Sequence, residues 1–324
     1  MKKKLLLGLY DQKPVGTRRE DLEYSLLSCY KPLFTFLYAN PEMRVSLYFS
    51  GIIYEWLESE HPEINMLLAD MVKRRQIELL SGGYYDPILT LIPAKDRTQQ
   101  IEKMTTFIRK RFGLRPRCAW ISEQVWNPVL INTLSLCGIR SVFQQTSPLL
   151  SHQDPFFMQE LDKILCLFPV HAGLTENIHH NKLDSFTQNI SSACKTEQHK
   201  IITIMADMGK LISHSLLTEK DTAMELCGML NYLHDEYTDL ELSVTSVTIQ
   251  NVSNREHLSS GWYKREKPFN VEDFNEIFLR YPEIQHLYGK LLYSAKLIPG
   301  IKNEKTLKKL AGREILKGES FGAF

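Results

Sequence analysis

The 324 residues suffice for one large α/β domain with a small appendage and a sizeable buried core. Lys+Arg 39 against Asp+Glu 38 leaves a net charge of +1, so no global field draws nucleic acid or an anionic membrane to the chain. No apolar run approaches bilayer-spanning length, and six dispersed cysteines without a Cys-x-x-Cys pair point to free thiols in a reducing, cytoplasmic setting.

The start, Met1 to Lys4 followed by Leu5 to Tyr10, imitates a signal peptide. Its apolar stretch is short, ends at Asp11 and lacks a small-residue cleavage site, so it reads as a first buried strand. A helix follows over about Glu20 to Tyr38, then a second strand at Val45 to Phe49. Helical stretches at Ile53 to Glu58 and Ile64 to Arg75 lead to a third strand, Ile77 to Leu80. Pro93 opens a long amphipathic helix that ends near Gly113. A strand from Cys118 to Ile121 precedes a helix, Pro128 to Cys137, stopped by Gly138. Ser141 to Phe143, Ile164 to Phe168 and Ile201 to Met205 are further strands. About seven strands alternating with helices predict a parallel sheet with crossover helices. Beyond Gly261 the pattern is helical, with segments at Val271 to Leu279 and Glu283 to Leu297. The Lys-rich stretch Lys302 to Lys317 reads as a solvated helix face.

The segment Trp120-Ile121-Ser122-Glu123-Gln124-Val125-Trp126-Asn127-Pro128 stands out. One carboxylate lies at the end of a buried strand between two tryptophans, where α/β barrels keep their reacting groups and where indole faces suit sugar rings. Taken alone, Glu123 would equally suit a solvated loop or a helix cap. Trp120, Glu123, Trp126 and Pro128 resemble the nucleophile motif of glycoside hydrolase family 57, the amylase and 4-α-glucanotransferase group. Tyr48-Phe49-Ser50-Gly51 with Glu55-Trp56 is similar to a second family motif, and Gly83-Tyr84-Tyr85-Asp86-Pro87 to its Gly-Phe-Tyr-Glu-Pro block, with the acid one carbon shorter. Arg280-Tyr281-Pro282-Glu283 is similar to the start of the helical region after the barrel. The resemblance implies an incomplete (β/α)7 TIM-like barrel over residues 1–260 and a C-terminal helical region over 261–324. It implies an α-glucan or maltooligosaccharide as partner, no cofactor and no metal.

Retaining cleavage needs two carboxylates about 5 Å apart, a nucleophile and an acid/base. The resemblance gives Glu123 the first role. Ala206-Asp207-Met208-Gly209-Lys210 aligns with the acid/base segment so that Met208 takes the acid/base position and Asp207 the acid before it. A thioether transfers no proton. Other polar positions are also altered. Both histidines of the first motif are replaced in Tyr10-Asp11-Gln12-Lys13-Pro14-Val15-Gly16, an Arg after the nucleophile is Gln124, and a usually acidic strand end reads Gln144-Gln145. Scaffold residues persist while titratable ones are replaced, the pattern of a fold kept and a reaction weakened.

Three readings stay open. In one, Asp207 substitutes as acid/base, which requires the strand to end or bulge there because neighbouring strand residues face opposite sides. In the second, the chain binds α-glucan with weak or lost turnover, using Trp120, Trp126, Tyr84 and Tyr85 as stacking surfaces beside Asp86, Tyr10 and Met208. The third is metal-dependent carbohydrate deacetylation, which needs an Asp and paired histidines. No His-x-x-x-His pair occurs among the ten histidines; His179-His180 sit in a stretch that reads as a loop, and His171 follows a strand end. Of the aromatics, Trp56 reads as core, and one of Tyr84 and Tyr85 is expected to face the sugar while the other packs.

Overall fold

The computed structural model describes residues 3–145, 154–179, 185–186, 188–191, 200–218, 222–236, 240–262, 276–301 and 304–323. The helix expected at Val271 to Leu279 lies partly outside these residues, as do His180 and Cys194. The architecture is α/β with parallel strands and flanking helices.

Eleven strands run in chain order among the described residues: β1 (Lys3–Asp11), β2 (Val45–Phe49), β3 (Ile77–Leu79), β4 (Cys118–Trp120), β5 (Val125–Trp126), β6 (Ser141–Gln145), β7 (Phe156–Glu160), β8 (Lys163–Val170), β9 (Ile201–Asp207), β10 (Leu240–Ser243) and β11 (Gly261–Trp262). β1 is the hub. Along one edge it pairs with β9 from Lys4↔Ile201 to Tyr10↔Asp207, and it also pairs with β10 at its start and β2 at its end, all in parallel. β2 pairs with β3, and a second sheet runs β4-β6-β8-β7, with β7 and β8 forming an antiparallel hairpin. Continuous apolar runs explain the parallel strands, which are covered on both faces: Leu5 to Asp11 and all of β2 are buried.

Backbone hydrogen bonds span the gaps between the two sheets. Ser81 N donates to Cys118 O and Trp120 N to Ser81 O, both at 2.8 Å, tying the end of β3 to β4. On the other side His171 N donates to Thr203 O at 2.8 Å, tying the end of β8 to β9.

The first helical region is continuous but irregular: Arg19–Ser25 and Lys31–Ala39 flank a wide turn, Leu26–Tyr30, in which Lys31 N reaches Leu26 O. Pro32 lacks the N–H that an α-helix would use there, which accounts for the widened turn. The helix Ala94–Phe112 ends where Gly113 adopts φ 74°, the left-handed cap the sequence predicts. Pattern reading missed the hairpin strand β7 and the helix Ala172–His179, which contains the histidine placed in a loop. Past β9 come the helices Met208–Thr218 and Thr222–Glu236, and later Pro282–Leu297 and Lys305–Gly318.

The later chain grips the loops at the C-terminal strand ends. β11 pairs antiparallel with β5, Ile277 packs with Ile88 and Val125, Phe321 N donates to Asp86 O at 3.1 Å, and Ser320 bridges Pro87. Gln100 joins these parts. Its side chain accepts from Tyr85 N at 3.0 Å and donates to Leu316 O at 2.7 Å and Glu319 Oε2 at 3.0 Å.

Candidate active site

The loop after β4 holds Glu123 by an unusual backbone. Glu123 adopts φ 56°, ψ 5° and Gln124 φ 54°. Two successive non-glycine residues in the left-handed region store strain that persists only where surroundings enforce it. The enforcement is visible around Gln124. Its amide donates to Ile121 O at 2.7 Å and accepts from Gln145 N at 2.7 Å, while Gln144 Nε2 donates to Gln124 O at 3.0 Å. Gln124, Gln144 and Gln145 are therefore one hydrogen-bonded set.

Asp86 also has a positive φ, 51°, and lies buried beneath this loop. Its Oδ1 accepts from Tyr48 OH, from Ser122 Oγ at 2.9 Å and from Gln12 Nε2 at 3.3 Å; its buried Oδ2 has no protein partner among the described residues. Burial pushes the carboxyl up to about 7, the three donors pull it back, and the nearby Glu123 charge adds to the rise. A Cβ at Gly82 would lie 2.7 Å from both Trp120 O and the Tyr48 ring, so only glycine lets the chain after β3 pass this close to both.

On the opposite side, β9 ends at Asp207 and the helix Met208–Thr218 starts at once. Asp207 Oδ1 accepts from Lys210 N at 3.2 Å as a helix cap, and Oδ2 accepts from Tyr10 OH at 3.1 Å. Asp207 is thus the last paired residue of β9, opposite Tyr10. Burial first, then the Asp207 charge and hydrogen bond, and then the Glu123 charge hold the Tyr10 phenol well above its usual range. Both carboxylates therefore act on one phenol. Asp11 lies deeper, bonded by Tyr30 OH at 2.6 Å and by Lys13 Nζ at 3.2 Å.

Tyr10, Gln12, Trp120, Glu123, Gln124, Gln145, Thr175, Glu176, His179 and Lys210 are among the residues lining one narrow pocket of about 30 Å³, room for roughly one water. The Tyr10 and Trp120 rings lie 4.4 Å apart, tilted by 32°. Trp120 Nε1, Thr175 Oγ1 and Gln145 Oε1 are buried without protein partners among the described residues, giving a donor, a hydroxyl and an acceptor. That mixture matches a polyhydroxylated ligand.

Several expected contacts lie elsewhere. Tyr84 and Tyr85 are both buried behind the pocket: Tyr84 fills the space a Cβ at Gly51 would need, and the Tyr85 hydroxyl donates to Glu55 at 3.3 Å and accepts from Lys103 at 2.5 Å. Neither is the exposed stacking ring the sequence suggests, because the turn after Gly83 aims both at the flanking helices. Trp126 is fully buried in a second apolar cluster with Ile121 and Leu130, and Met208 is fully buried in the main core. Trp56 is core, as expected, with its ring 4.9 Å from His61. Sequence reasoning passed over Tyr48, Ser122 and Gln12 as partners of Asp86, although all three stand inside quoted motifs.

The Glycosyl hydrolase family 57 model matches residues 12–277. The chain belongs to that family. An alpha-amylase of Pyrococcus horikoshii is 25% identical over 336 aligned residues, covering 90% of this chain and 52% of that protein. Alpha-amylase 1 of Dictyoglomus thermophilum is 37% identical over 175 residues, 52% of this chain and 26% of its own length. The chain thus spans a quarter to a half of these two relatives. The crystal structure of 4-alpha-glucanotransferase from Thermococcus litoralis superposes with a TM-score of 0.85 at 22% identity, covering 99% of this chain and 55% of that one. At that identity the likeness establishes the fold.

Among the described residues no helix is long and apolar enough to cross a membrane, and no three His, Cys, Asp or Glu side chains group as metal ligands.

Proposed function

We propose that this chain binds α-1,4-glucan at the Glu123 pocket and retains a weakened form of the retaining glycosidase reaction. Glu123 is the nucleophile and Asp207 the second carboxylate. The observation carrying this reading is the end of β9: it closes at Asp207, whose carboxylate meets Tyr10 beside Glu123, while Met208 turns into the core. In a productive complex Glu123 would attack the anomeric carbon and Asp207 would pass a proton to the leaving oxygen. Asp207 is tied to Tyr10 and to the Lys210 amide, so its proton transfer competes with existing bonds; a lost or misaligned general acid costs roughly a hundred- to ten-thousand-fold. The pocket also has to open before a sugar ring enters.

Two further assignments belong to this proposal. Seven of the parallel strands, β1, β2, β3, β4, β6, β8 and β9, read as an incomplete (β/α)7 barrel, with β10 parallel to the start of β1 beside them, a reading supported by the backbone bonds at Ser81 and His171. A reducing, cytoplasmic setting fits the five described cysteines, all buried and outside any disulfide among the described residues. Deacetylation is less well supported, since the pocket-lining His179 and the neighbouring His171 each accept from backbone: His179 Nε2 from Asp207 N at 2.7 Å and His171 Nδ1 from Leu174 N at 3.2 Å.

The test is turnover of α-maltosyl fluoride, whose leaving group needs no proton, with Glu123→Gln as control. Glu123-dependent fluoride release, with much slower cleavage of maltooligosaccharides, is the expected result. Equal release by both proteins, or none by either, defeats the catalytic reading. Absence of maltotriose binding at millimolar concentration defeats the glucan reading altogether.

A further inference from the structure

The opposite end of the strands carries a second, unassigned cleft. Arg44 immediately precedes β2, Arg117 immediately precedes β4, and Arg75 stands two residues before β3. Because β2 pairs with β3 and Ser81 ties β3 to β4, these arginines arrive side by side at the N-terminal strand ends, away from Glu123. All three line one cleft of about 500 Å³, together with Arg115.

The charge of this cleft is not balanced from within. The guanidinium groups of Arg44, Arg75 and Arg117 make no hydrogen bond or ion pair to protein among the described residues. Arg115 donates to Cys137 O at 3.1 Å, a neutral partner. The one acid lining the cleft, Glu78, is already committed: Oε2 accepts from Thr245 N at 2.9 Å and Thr245 Oγ1 at 2.8 Å, and Oε1 accepts from Ser246 N at 3.1 Å. Arg75 also occupies a costly position. It follows the helix Pro62–Lys73 with φ 61°, where Arg75 N meets Val72 O and Gln76 N meets Met71 O, both at 2.9 Å. That left-handed C-terminal cap favours glycine.

We propose that this cleft binds phosphoryl anions, with Arg44, Arg75 and Arg117 as the residues that hold them. The guanidinium fork matches two phosphate oxygens at once and is weakly hydrated, so three forks lining one cleft favour a phosphate over chloride. The volume suits a small phosphorylated molecule. Occupancy leaves the Glu123 pocket untouched, so the proposal stands independently of the glucan reading.

Isothermal titration calorimetry at low ionic strength tests it, using inorganic pyrophosphate and glucose 6-phosphate as probes and chloride as control. Saturable binding is expected, at least about tenfold weaker in Arg75→Gly and in Arg117→Ala. Arg75→Gly removes the side chain while relieving the left-handed backbone, so its loss of binding reflects the guanidinium and not unfolding. Binding of pyrophosphate alone assigns the site to inorganic phosphates, and binding of both probes extends it to phosphorylated sugars; either supports the proposal. No saturable binding of either probe up to about 10 mM, or binding that both variants leave unchanged, overturns it.

Discussion

Asp86→Asn offers the sharpest test of how the site is held. The native carboxyl is 5% exposed and is pushed up to about 7 from its ordinary 3.8, chiefly by burial. A folded-state value above the unfolded one means the folded chain keeps its proton more tightly. The stability this provides is complete below pH ~4 and is lost as pH rises through 7. At about 1.36 kcal/mol per unit, ionising Asp86 in place costs at most about 4 kcal/mol by pH 8. An asparagine keeps the Oδ1 acceptor for Tyr48, Ser122 and Gln12 and places an uncharged NH₂ where Oδ2 has no protein partner. Near pH 4.5 the variant should match the native protein or fall short by about 1–3 kcal/mol, the cost of unpaired amide hydrogens. By pH 8 it should have gained several kcal/mol relative to the native chain. For a chain of this size each kcal/mol moves Tm by about 2 °C, so the difference in Tm should swing by roughly 5–8 °C between those pH values. Thermal unfolding followed by circular dichroism at four pH values measures it. A difference that is flat, or that falls with pH, would refute the view that Asp86 is a buried carboxyl held against its solvation energy.

Other outcomes follow from the same geometry. Glu319, 1% exposed and bonded to Gln100, is pushed up to about 8 by burial, so native stability declines from pH ~4.5 to 8. Glu319→Gln should flatten that decline, read as a Tm advantage that grows with pH and is absent near pH 4. Gln124→Ala removes the acceptor of the Gln145 amide and frees the strained turn at Glu123. It should cost about 1–3 kcal/mol in denaturant unfolding and lower Glu123-dependent fluoride release further than that loss explains; full retention of release would separate the turn from function.

Much of the scaffold is legible in the chain because burial on both faces writes itself as uninterrupted apolar runs. Leu5 to Tyr10 and Ile201 to Met205 are strands for that reason. Gly113 and Gly138, with φ 74° and 83°, end helices where backbone sterics alone favour glycine. β7 escaped because its burial alternates and its partner lies only a short turn away, so no long run marks it.

The site divides along a different line. Its sequence alone determined the family resemblance and the placing of Glu123 after an apolar strand and of Met208 after Asp207, since these are matters of residue type and order. Which way a side chain points at the end of a strand is decided by where pairing stops and by what packs behind it. Tertiary structure therefore sent Tyr84, Tyr85, Trp126 and Met208 into the core and left Asp207 beside Tyr10. It also drew Gln12, Tyr48 and Ser122 onto Asp86, and three arginines far apart in the chain to one end of three neighbouring strands. Sequence spacing carries no information about such contacts, because they form only when separate strands are brought into register.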